Sequence, residues 1–422
     1  MHATPSKNVG RSNNIGRCRR GLASVLIASS AALAAVALAG PIAPARAVGP
    51  CVLGLNCPPP PPTPPPSSGG PAPSGSAPAP PSSPTPAPGP PCRQPATRAR
   101  GMELAIQDDS VFVYGALYDR ARALAQIRDD LHVSALRMTL TWAEYKRSGF
   151  GRLDSAVAAA AAAGIRVQLT VAGTPEFDPG GDQFISYQNA TPNRVASFMR
   201  TVARHFKGCV TRYSVWNEPN LPRWIYGRRR GDAARTYRNL YRRSYAAIKS
   251  VDRRNQVLIG ELTSAHDPLG FLSQVARGNL RADGLAYHPF QFSAAAGTRD
   301  PSRGFTGISH TPQIRGLLNR LRRGHRLRTP RGGTVPIYFT EFAYLQRGYY
   351  QMPESRRRSW AVQAATYARR QHVAQFLWYM FVHPPSGALH GDIWDSGIVG
   401  LNGRPDSTYT ALRRARRSIA GF

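Results

Sequence analysis

The sequence predicts an α/β protein that folds as a (β/α)8 TIM barrel, preceded by a signal peptide and a proline-rich linker. From about residue 100 onward, short β-rich runs alternate with amphipathic helical stretches, which is typical of a parallel sheet with crossover helices. Eight such pairs fit into roughly 320 residues, a length that suits a barrel with long loops. A doubly wound sheet is the alternative, but it needs a glycine-rich turn after its first strand, and "IQDDSVF" contains no glycine.

Residues 1–47 have the features of a secretory signal peptide. Arg17, Arg19 and Arg20 belong to a positive region, an apolar run covers 21–40, and "ARA" at 45–47 supplies the small residues that a signal peptidase requires. The predicted location is therefore secreted, outside the cell. An uncleaved membrane anchor, which would tether the protein to the cell surface, is the alternative because the run is close to spanning length.

Residues 48–99 are predicted to be a disordered, cysteine-containing linker. Between Pro58 and Pro91 the sequence consists mostly of proline and small residues and has almost nothing apolar to bury. Such a composition is typical of a semi-rigid spacer. The folded domain is therefore assigned to residues 100–422.

The cysteines predict disulfides. Cys18 lies in the signal peptide, so four cysteines remain in the exported chain, an even number in an oxidising compartment. Cys51 and Cys57 are close enough for a local bridge. Cys92 and Cys209 could join the segment before the first strand to the start of the fourth, but the sequence leaves the connectivity open.

The net charge of +32 invites a nucleic-acid interpretation. However, nearly all the basic residues are arginines, with four lysines in the chain, and they are spread over every predicted helix. This distribution is typical of solvated helix faces, so no nucleic-acid partner is expected. Association with a cell wall or another anionic surface is the alternative.

The eight predicted strands recur along the whole domain. They are "MELAIQ" near Met102, "SALRMTLTW" near Ser134, "IRVQLTVAG" near Ile165, "VTRYSVWNE" near Val210, "QVLIGEL" near Gln256, "DGLAYHP" near Asp283, "VPIYFTEF" near Val335 and "VAQFLWYMF" near Val373.

Three of the predicted helices have clear boundaries. One begins at Asp154 as N-cap, runs through an alanine tract and stops at Gly164. A second starts at Asp232, and the last runs from Asp406 to Ser418. The second helix carries one apolar face, formed by Tyr237, Leu240, Tyr241, Tyr245 and Ile248.

Two glutamates stand at strand ends, where barrel proteins carry their functional groups. Glu218 ends the fourth strand in "YSVWNEPN", and Glu341 ends the seventh in "YFTEFAY". We expect them to face each other at the rim, where solvent and ligand reach them, and to raise the pKa of one carboxyl by mutual repulsion. Such a pair suits glycoside hydrolysis. Ion pairing of either acid with an arginine is the structural alternative.

"WNEPN" followed by "FTEF" resembles the retaining glycoside hydrolases of clan A, which include cellulases, mannanases and β-xylosidases. The resemblance covers about Met102 to Ser418. It implies that Glu218 is the acid/base, that Glu341 is the nucleophile of a double displacement, and that Asn217 binds the sugar 2-hydroxyl.

Other residues match the same clan. The run "LRMTLTW" resembles the second-strand pattern of the clan, in which an arginine, here Arg137, orients the nucleophile and keeps it ionised. Trp142 ends the same run, and we expect it to bind substrate as well. His288 in "AYHPF" matches the active-site histidine. Trp378 matches the tryptophan that floors the sugar site, although it could equally belong to the core.

Two features depart from the clan pattern. The third strand, "VQLTVAGTP", lacks the histidine that some of the families have there. The clan also often has a tyrosine two positions after the active-site histidine, and this chain has Phe290 there. Tyr287 is the candidate substitute, although strand alternation directs it elsewhere. Aromatic residues in the predicted top loops could serve as sugar platforms, namely Trp224, Tyr226, Tyr349, Tyr350 and Trp394.

Together these features predict a secreted, monomeric, retaining glycosidase that cleaves O-glycosidic bonds, β-linked ones by resemblance, in polysaccharides or oligosaccharides. No metal and no cofactor is expected, since the chemistry needs none and the sequence has no clustered His/Cys spacing. The alternative is a non-catalytic barrel at the cell surface that binds carbohydrate or an anionic polymer.

Overall fold

A computed structural model describes residues 92, 101–174, 191–222, 224–225, 229, 231–298, 300, 304–387 and 394–420. The predicted signal peptide, most of the linker, Cys51, Cys57 and Tyr226 lie outside these residues. Within the described parts, no helix combines the length and the apolar character needed to cross a membrane.

Eight parallel strands close into a barrel in the order β1-β8-β7-β6-β5-β4-β3-β2. This confirms the predicted (β/α)8 fold. Each strand falls within its predicted run except β5, which extends one residue further, to Thr263. The strands are β1 (Glu103–Gln107), β2 (Ala135–Thr141), β3 (Arg166–Ala172), β4 (Arg212–Val215), β5 (Gln256–Thr263), β6 (Gly284–His288), β7 (Ile337–Phe339) and β8 (Gln375–Tyr379).

Helices surround the barrel in the described part of the chain. They are α1 (Asp109–Phe112), α2 (Arg120–Ala125), α3 (Trp142–Ser148), α4 (Gly151–Ala162), α5 (Pro192–His205), α6 (Asp232–Val251), α7 (Pro268–Val275), α8 (Thr311–Arg323), α9 (Glu354–Arg370) and α10 (Ser407–Ala420). A π-helical turn, Gln126–Asp130, extends α2.

The predicted N-cap of α4 is wrong by four residues, because Phe150 takes that position. The helix begins at Gly151, so Asp154 lies inside its first turn and is not the N-cap. The Asp154 side chain instead pairs with Nε2 of His205 on α5 at 2.6 Å. The predicted apolar face of α6 is confirmed, since its residues are buried except for the half-buried Tyr245.

Strand alternation divides the apolar core into two regions. Outward-facing residues such as Leu136 and Met138 pack in the main core cluster between the strands and the helices. Two small clusters, around Ala135 and Ala286, are separate from that main core and face the interior. Because the interior apolar clusters are small, polar side chains can occupy both ends of the barrel.

Two short two-stranded sheets lie outside the barrel and are absent from the predicted elements. Leu280–Arg281 pairs in parallel with Leu327–Arg328. Arg347–Gly348 pairs antiparallel with Trp394–Asp395, joining the segments that follow β7 and β8. The second sheet therefore stabilises loops at the end of the barrel where the strands terminate.

A disulfide joins Cys92 to Cys209, with Cα atoms 5.3 Å apart. It links the segment before β1 to the segment before β4, one of the pairings that the sequence left open. The two cysteines are 117 positions apart in the chain.

Removing this bridge should lower stability, because a cross-link between distant residues restricts the unfolded chain. We expect Cys92→Ser/Cys209→Ser to lose about 2–4 kcal/mol of unfolding free energy, measured by denaturant unfolding. Cys51→Ser/Cys57→Ser is the matched control and should change the unfolding free energy little. Equal stability of the two double variants would contradict this role of the bridge.

Candidate active site

Three strand ends converge on one point inside the barrel. Glu218 follows β4, His288 ends β6, and Glu341 follows β7. One ligand atom from each of these side chains lies within 4.8 Å of the other two. The two glutamates that the sequence singled out, 123 positions apart, are therefore brought together, and His288 joins them.

The backbone after β4 adopts an unusual conformation that directs Glu218 inward. Trp216 and Glu218 have positive φ values of 73° and 38°, which non-glycine residues rarely adopt. Asn220 holds this turn, because its side-chain amide donates to the carbonyls of Thr263 (3.1 Å) and Ala265 (2.7 Å) and accepts from the amide of Thr263 at 3.1 Å. Strain of this kind persists where surrounding contacts stabilise it, and often at functional sites.

Arg137 occupies the centre of the group, almost completely buried. Its guanidinium donates to Glu341 at 2.7 Å, to Asn217 Oδ1 at 3.0 Å and to Thr170 Oγ1 at 2.9 Å. It also contacts Gln107. The predicted contact between Arg137 and the second glutamate is confirmed, and Asn217 belongs to the same network.

A third carboxylate, that of Glu261 on β5, lies in the same group and was not predicted from the sequence. A β-bulge between Gly260 and Leu262 inserts Glu261 as an extra residue, so that its side chain joins the interior. Gly260 is required here, because its φ is 116° and a Cβ would lie 2.4 Å from the carbonyl oxygen of Ala286. The hydroxyl of Tyr237 on α6 accepts a 2.7 Å hydrogen bond from the Gly260 amide and supports the bulge.

His288 lies between carboxylates on both sides of its ring. Nδ1 is 3.1 Å from Glu218 Oε1 and 3.6 Å from Glu341 Oε2, and Nε2 is 2.7 Å from Glu261 Oε2. Burial alone would lower the pKa of His288, but the three carboxylates outweigh it and raise the pKa to about 9. The ring is therefore protonated at neutral pH.

The expectation that both acids are reached by solvent is wrong for this structure. Glu218 and Glu341 each have 0% exposed surface, since both side chains converge below the loops toward Arg137 and His288. Burial raises the pKa of the Glu341 carboxyl, and His288 and Arg137 offset this only in part. The pKa of Glu341 is therefore raised, whereas Arg137 alone would lower it. Oε2 of Glu218 is buried and, among the described residues, has no hydrogen-bond partner.

Glu218, His288 and Glu341 are spaced closely enough to bind a metal ion. Their environment is unfavourable for one, because Arg137 already places a permanent positive charge 2.7 Å from Glu341. A protonated His288 also has no lone pair to offer a cation. The donor set therefore does not fit a metal.

Three predicted substrate-binding residues lie away from this group. Trp378 packs in the outer core and donates from Nε1 to the Ser396 carbonyl at 3.0 Å. Tyr287 also faces outward and donates to the carbonyl of Thr306, and Trp142 stacks on Phe198 with ring centroids 4.7 Å apart. Alternation along β8 instead turns Tyr379 toward the interior, where burial and the charge of Glu341 raise its pKa well above the ordinary value.

A cluster of aromatic rings adjoins His288. The ring centroid of Phe290 lies 6.4 Å from that of His288 and 5.1 Å from that of Trp394, whose ring it meets edge-on. Phe292 continues the cluster and stacks on Tyr350 with centroids 4.7 Å apart. Of the predicted loop platforms, Tyr350 and Trp394 belong to this cluster, Trp224 is buried in the core, and Tyr349 is 70% exposed.

Comparison with known proteins supports the fold. No protein-family model matches the chain. No curated protein matches it in sequence. A family 39 glycoside hydrolase from Bacteroides cellulosilyticus is similar in structure, with a TM-score of 0.56 and 16% identity over 75% of this chain and 63% of that chain.

Two further solved structures share this similarity. A GH39 β-xylosidase from Caulobacter crescentus has a TM-score of 0.51 and 17% identity over 75% of this chain and 72% of that chain. An exo-β-1,4-mannosidase from an Opitutaceae bacterium has a TM-score of 0.51 and 15% identity over 77% and 61%. The chain spans less than two thirds of the length of the Bacteroides and Opitutaceae proteins. At such identities the likeness establishes a common barrel fold.

Asn220→Ala should destabilise the protein by about 3 kcal/mol, since the buried backbone groups of Thr263 and Ala265 lose their hydrogen bonds to the Asn220 side chain. Denaturant unfolding measures the loss. Asn402→Ala is the control, because Asn402 is exposed and accepts one bond from the Arg404 amide. A loss no larger than that of the control would contradict the role of Asn220.

Stability should fall as pH rises from neutral to alkaline. The pKa of His288 in the folded protein, about 9, lies above its ordinary 6.5, so its contribution is complete below pH 6.5 and is lost as pH passes 9. The contribution is on the order of 3 kcal/mol. Urea unfolding of the protein and of His288→Gln between pH 6 and 10 measures this contribution. If the unfolding free energies of the two proteins change in parallel with pH, His288 contributes no such stability.

Proposed function

We propose that this protein is a retaining glycoside hydrolase that cleaves O-glycosidic bonds with Glu218 as acid/base and Glu341 as nucleophile. The observation that carries the proposal is their separation, with an oxygen of one within 4.8 Å of an oxygen of the other. Retaining enzymes hold their two carboxyl groups about 5–5.5 Å apart, whereas inverting enzymes leave about 6.5–9.5 Å for a water molecule.

The first step forms a glycosyl-enzyme. A Glu341 oxygen bonds to the anomeric carbon as the glycosidic C–O bond breaks, and the leaving oxygen takes a proton from Glu218. Oε2 of Glu218 suits this transfer, because Oε1 already faces His288 and Oε2 has no hydrogen-bond partner in the described structure. A buried oxygen of this kind favours a proton or a ligand.

The second step releases the sugar. Glu218, now ionised, removes a proton from water, the water oxygen bonds to the anomeric carbon, and the ester bond to Glu341 breaks. Two inversions at one carbon retain its configuration. Arg137 remains bonded to Glu341 at 2.7 Å and stabilises the carboxylate whenever it is ionised.

Substrate entry requires the loops at this end of the barrel to move, since both acids are buried. Opening would expose Glu341 and reduce the burial that raises its pKa, which favours the ionised nucleophile. Arg137 binds Oδ1 of Asn217 and so fixes the orientation of the side chain proposed to bind the sugar 2-hydroxyl. The substrate class is a polysaccharide or oligosaccharide with β-linked sugars, in line with the neighbouring β-xylosidase and β-mannosidase folds.

A non-catalytic carbohydrate-binding barrel is the second candidate, and the complete burial of both acids favours it.

We also propose that residues 1–47 direct secretion and that the exported chain acts as a monomer, either free or tethered at an anionic cell surface. N-terminal sequencing of protein from the culture medium tests the predicted cleavage after Ala47, and an uncleaved N-terminus would contradict it.

A panel of 2-fluoro glycosides tests the mechanism. We expect intact-protein mass spectrometry to show a covalent adduct, and peptide mapping to place it on Glu341, because the fluorine slows hydrolysis of the intermediate. Glu341→Ala should form no adduct and should lose turnover by at least about 10³-fold while remaining folded. An adduct on another residue would remove the nucleophile assignment.

Azide rescue tests the partner acid. Glu218→Ala should cleave activated aryl glycosides and should regain turnover with azide, because azide attacks the intermediate without base assistance. The predicted product is a glycosyl azide. Absence of both adduct and turnover across the panel would favour the binding barrel, for which glycan-array binding is the positive measurement.

A further inference from the structure

Glu261 is a buried carboxylate that the two-glutamate mechanism does not use. Oε2 contacts His288 Nε2 at 2.7 Å and accepts from Thr340 Oγ1 at 2.5 Å. Oε1 accepts from Thr170 Oγ1 at 3.1 Å and from Gln168 Nε2 at 3.3 Å. Both oxygens are thus occupied by protein donors, and the side chain has no exposed surface.

This arrangement separates Glu261 from the reacting atoms. A nucleophile or an acid/base needs an oxygen that can reach the substrate, and His288 lies between Glu261 and the other two glutamates. Arg137 adds an ion pair at 3.4 Å. Burial would raise the pKa of Glu261, but Arg137 and the hydrogen bond with His288 hold it well below its usual range. Glu261 is therefore a fixed negative charge behind the histidine.

We propose that Glu261 is a positioning residue, which fixes the His288 ring through Nε2 so that an Nδ1 proton points at the Glu218–Glu341 pair. The function of this contact in catalysis rests on the proposed glycosidase activity, whereas the contact itself does not. Arg137 forms an ion pair with Glu261, and Glu261 contacts Nε2 of His288. Nδ1 of His288 in turn faces both reacting carboxyls.

A cation in this position matches the movement of charge in the reaction. Before the first step the negative charge is on Glu341, and after it the charge is on Glu218, because Glu341 has become an ester. His288 Nδ1 lies 3.6 Å from the first and 3.1 Å from the second, so one donor serves both states without moving far. Fixed donors of this kind stabilise developing charge because they need no reorganisation.

The charged groups that face His288 come from four strands. Glu218 follows β4, Glu261 lies in β5 and Glu341 follows β7, while Arg137 on β2 binds two of these carboxylates from behind. Phe290, an aromatic neighbour of the His288 ring, carries no charge. Neutralising Glu261 thus removes the carboxylate on the Nε2 side and leaves the Glu218–Glu341 pair on the Nδ1 side.

Glu261→Gln tests the proposal, with Glu103→Gln as the matched control. Glu103 is also a buried carboxylate inside the barrel, but it pairs with Arg166 and Arg212 at the opposite end. The ¹⁵N chemical shifts of the His288 ring, followed by NMR against pH without substrate, report its protonation. We expect Glu261→Gln to lower the His288 pKa by at least about one unit and Glu103→Gln to leave it unchanged.

Kinetics give the second measurement if the chain is a glycosidase. The alkaline limb of the pH profile of kcat/KM should move to lower pH in Glu261→Gln, by the same shift as the NMR titration. Well above both pKa values this gives a loss of about tenfold beyond that of Glu103→Gln. A uniform loss at every pH would indicate a merely structural role and would overturn the proposal.

The unsubstituted protein keeps the proposal testable if Glu261→Gln fails to fold. At pH 7 both ring nitrogens of His288 should be protonated, and the Nε2 proton should be protected from solvent exchange. A neutral ring at pH 7, or an unchanged His288 titration in Glu261→Gln, would overturn the positioning role. Because NMR needs no substrate, that result is distinguishable from a failure of the glycosidase proposal.

Discussion

The buried guanidinium of Arg137 is the interaction on which the site depends. Three carboxylates inside one barrel would repel each other and lose their hydration, a cost that a protein meets only with opposite charge and hydrogen bonds. Arg137 contacts Glu341 and Glu261 directly and orients Asn217, which adjoins Glu218 in the chain. His288 adds the second positive charge among the same acids.

The barrel permits this concentration of charge because its main apolar core lies elsewhere. The largest cluster of buried apolar residues packs between the strands and the helices, and the interior clusters contain few members. The opposite end of the barrel follows the same rule, since Glu103 is held there by Arg166 and Arg212. Charge is thus compensated locally at each end of the barrel.

Sequence reasoning was sufficient where a regular pattern determined position. Alternating strand and helix runs predicted the barrel, and parallel strands in a barrel bring Glu218, His288 and Glu341 to the same end. It failed where geometry broke the pattern. Glu261 enters the interior through a β-bulge, and only the Gly-Glu step inside an apolar strand could have signalled it. Trp378 was selected by resemblance, while the period of two along β8 turns Tyr379 inward instead. Burial of the acids depends on loop packing, which local sequence does not encode.

The anomeric configuration of the first-formed product tests the central claim most directly. Once an aryl glycoside substrate has been found, ¹H NMR can follow the anomeric proton during the first minutes, before the free sugar mutarotates. Two carboxyls within 4.8 Å predict a product with the configuration of the substrate. An inverted product would require a water molecule between the acids and would contradict the account.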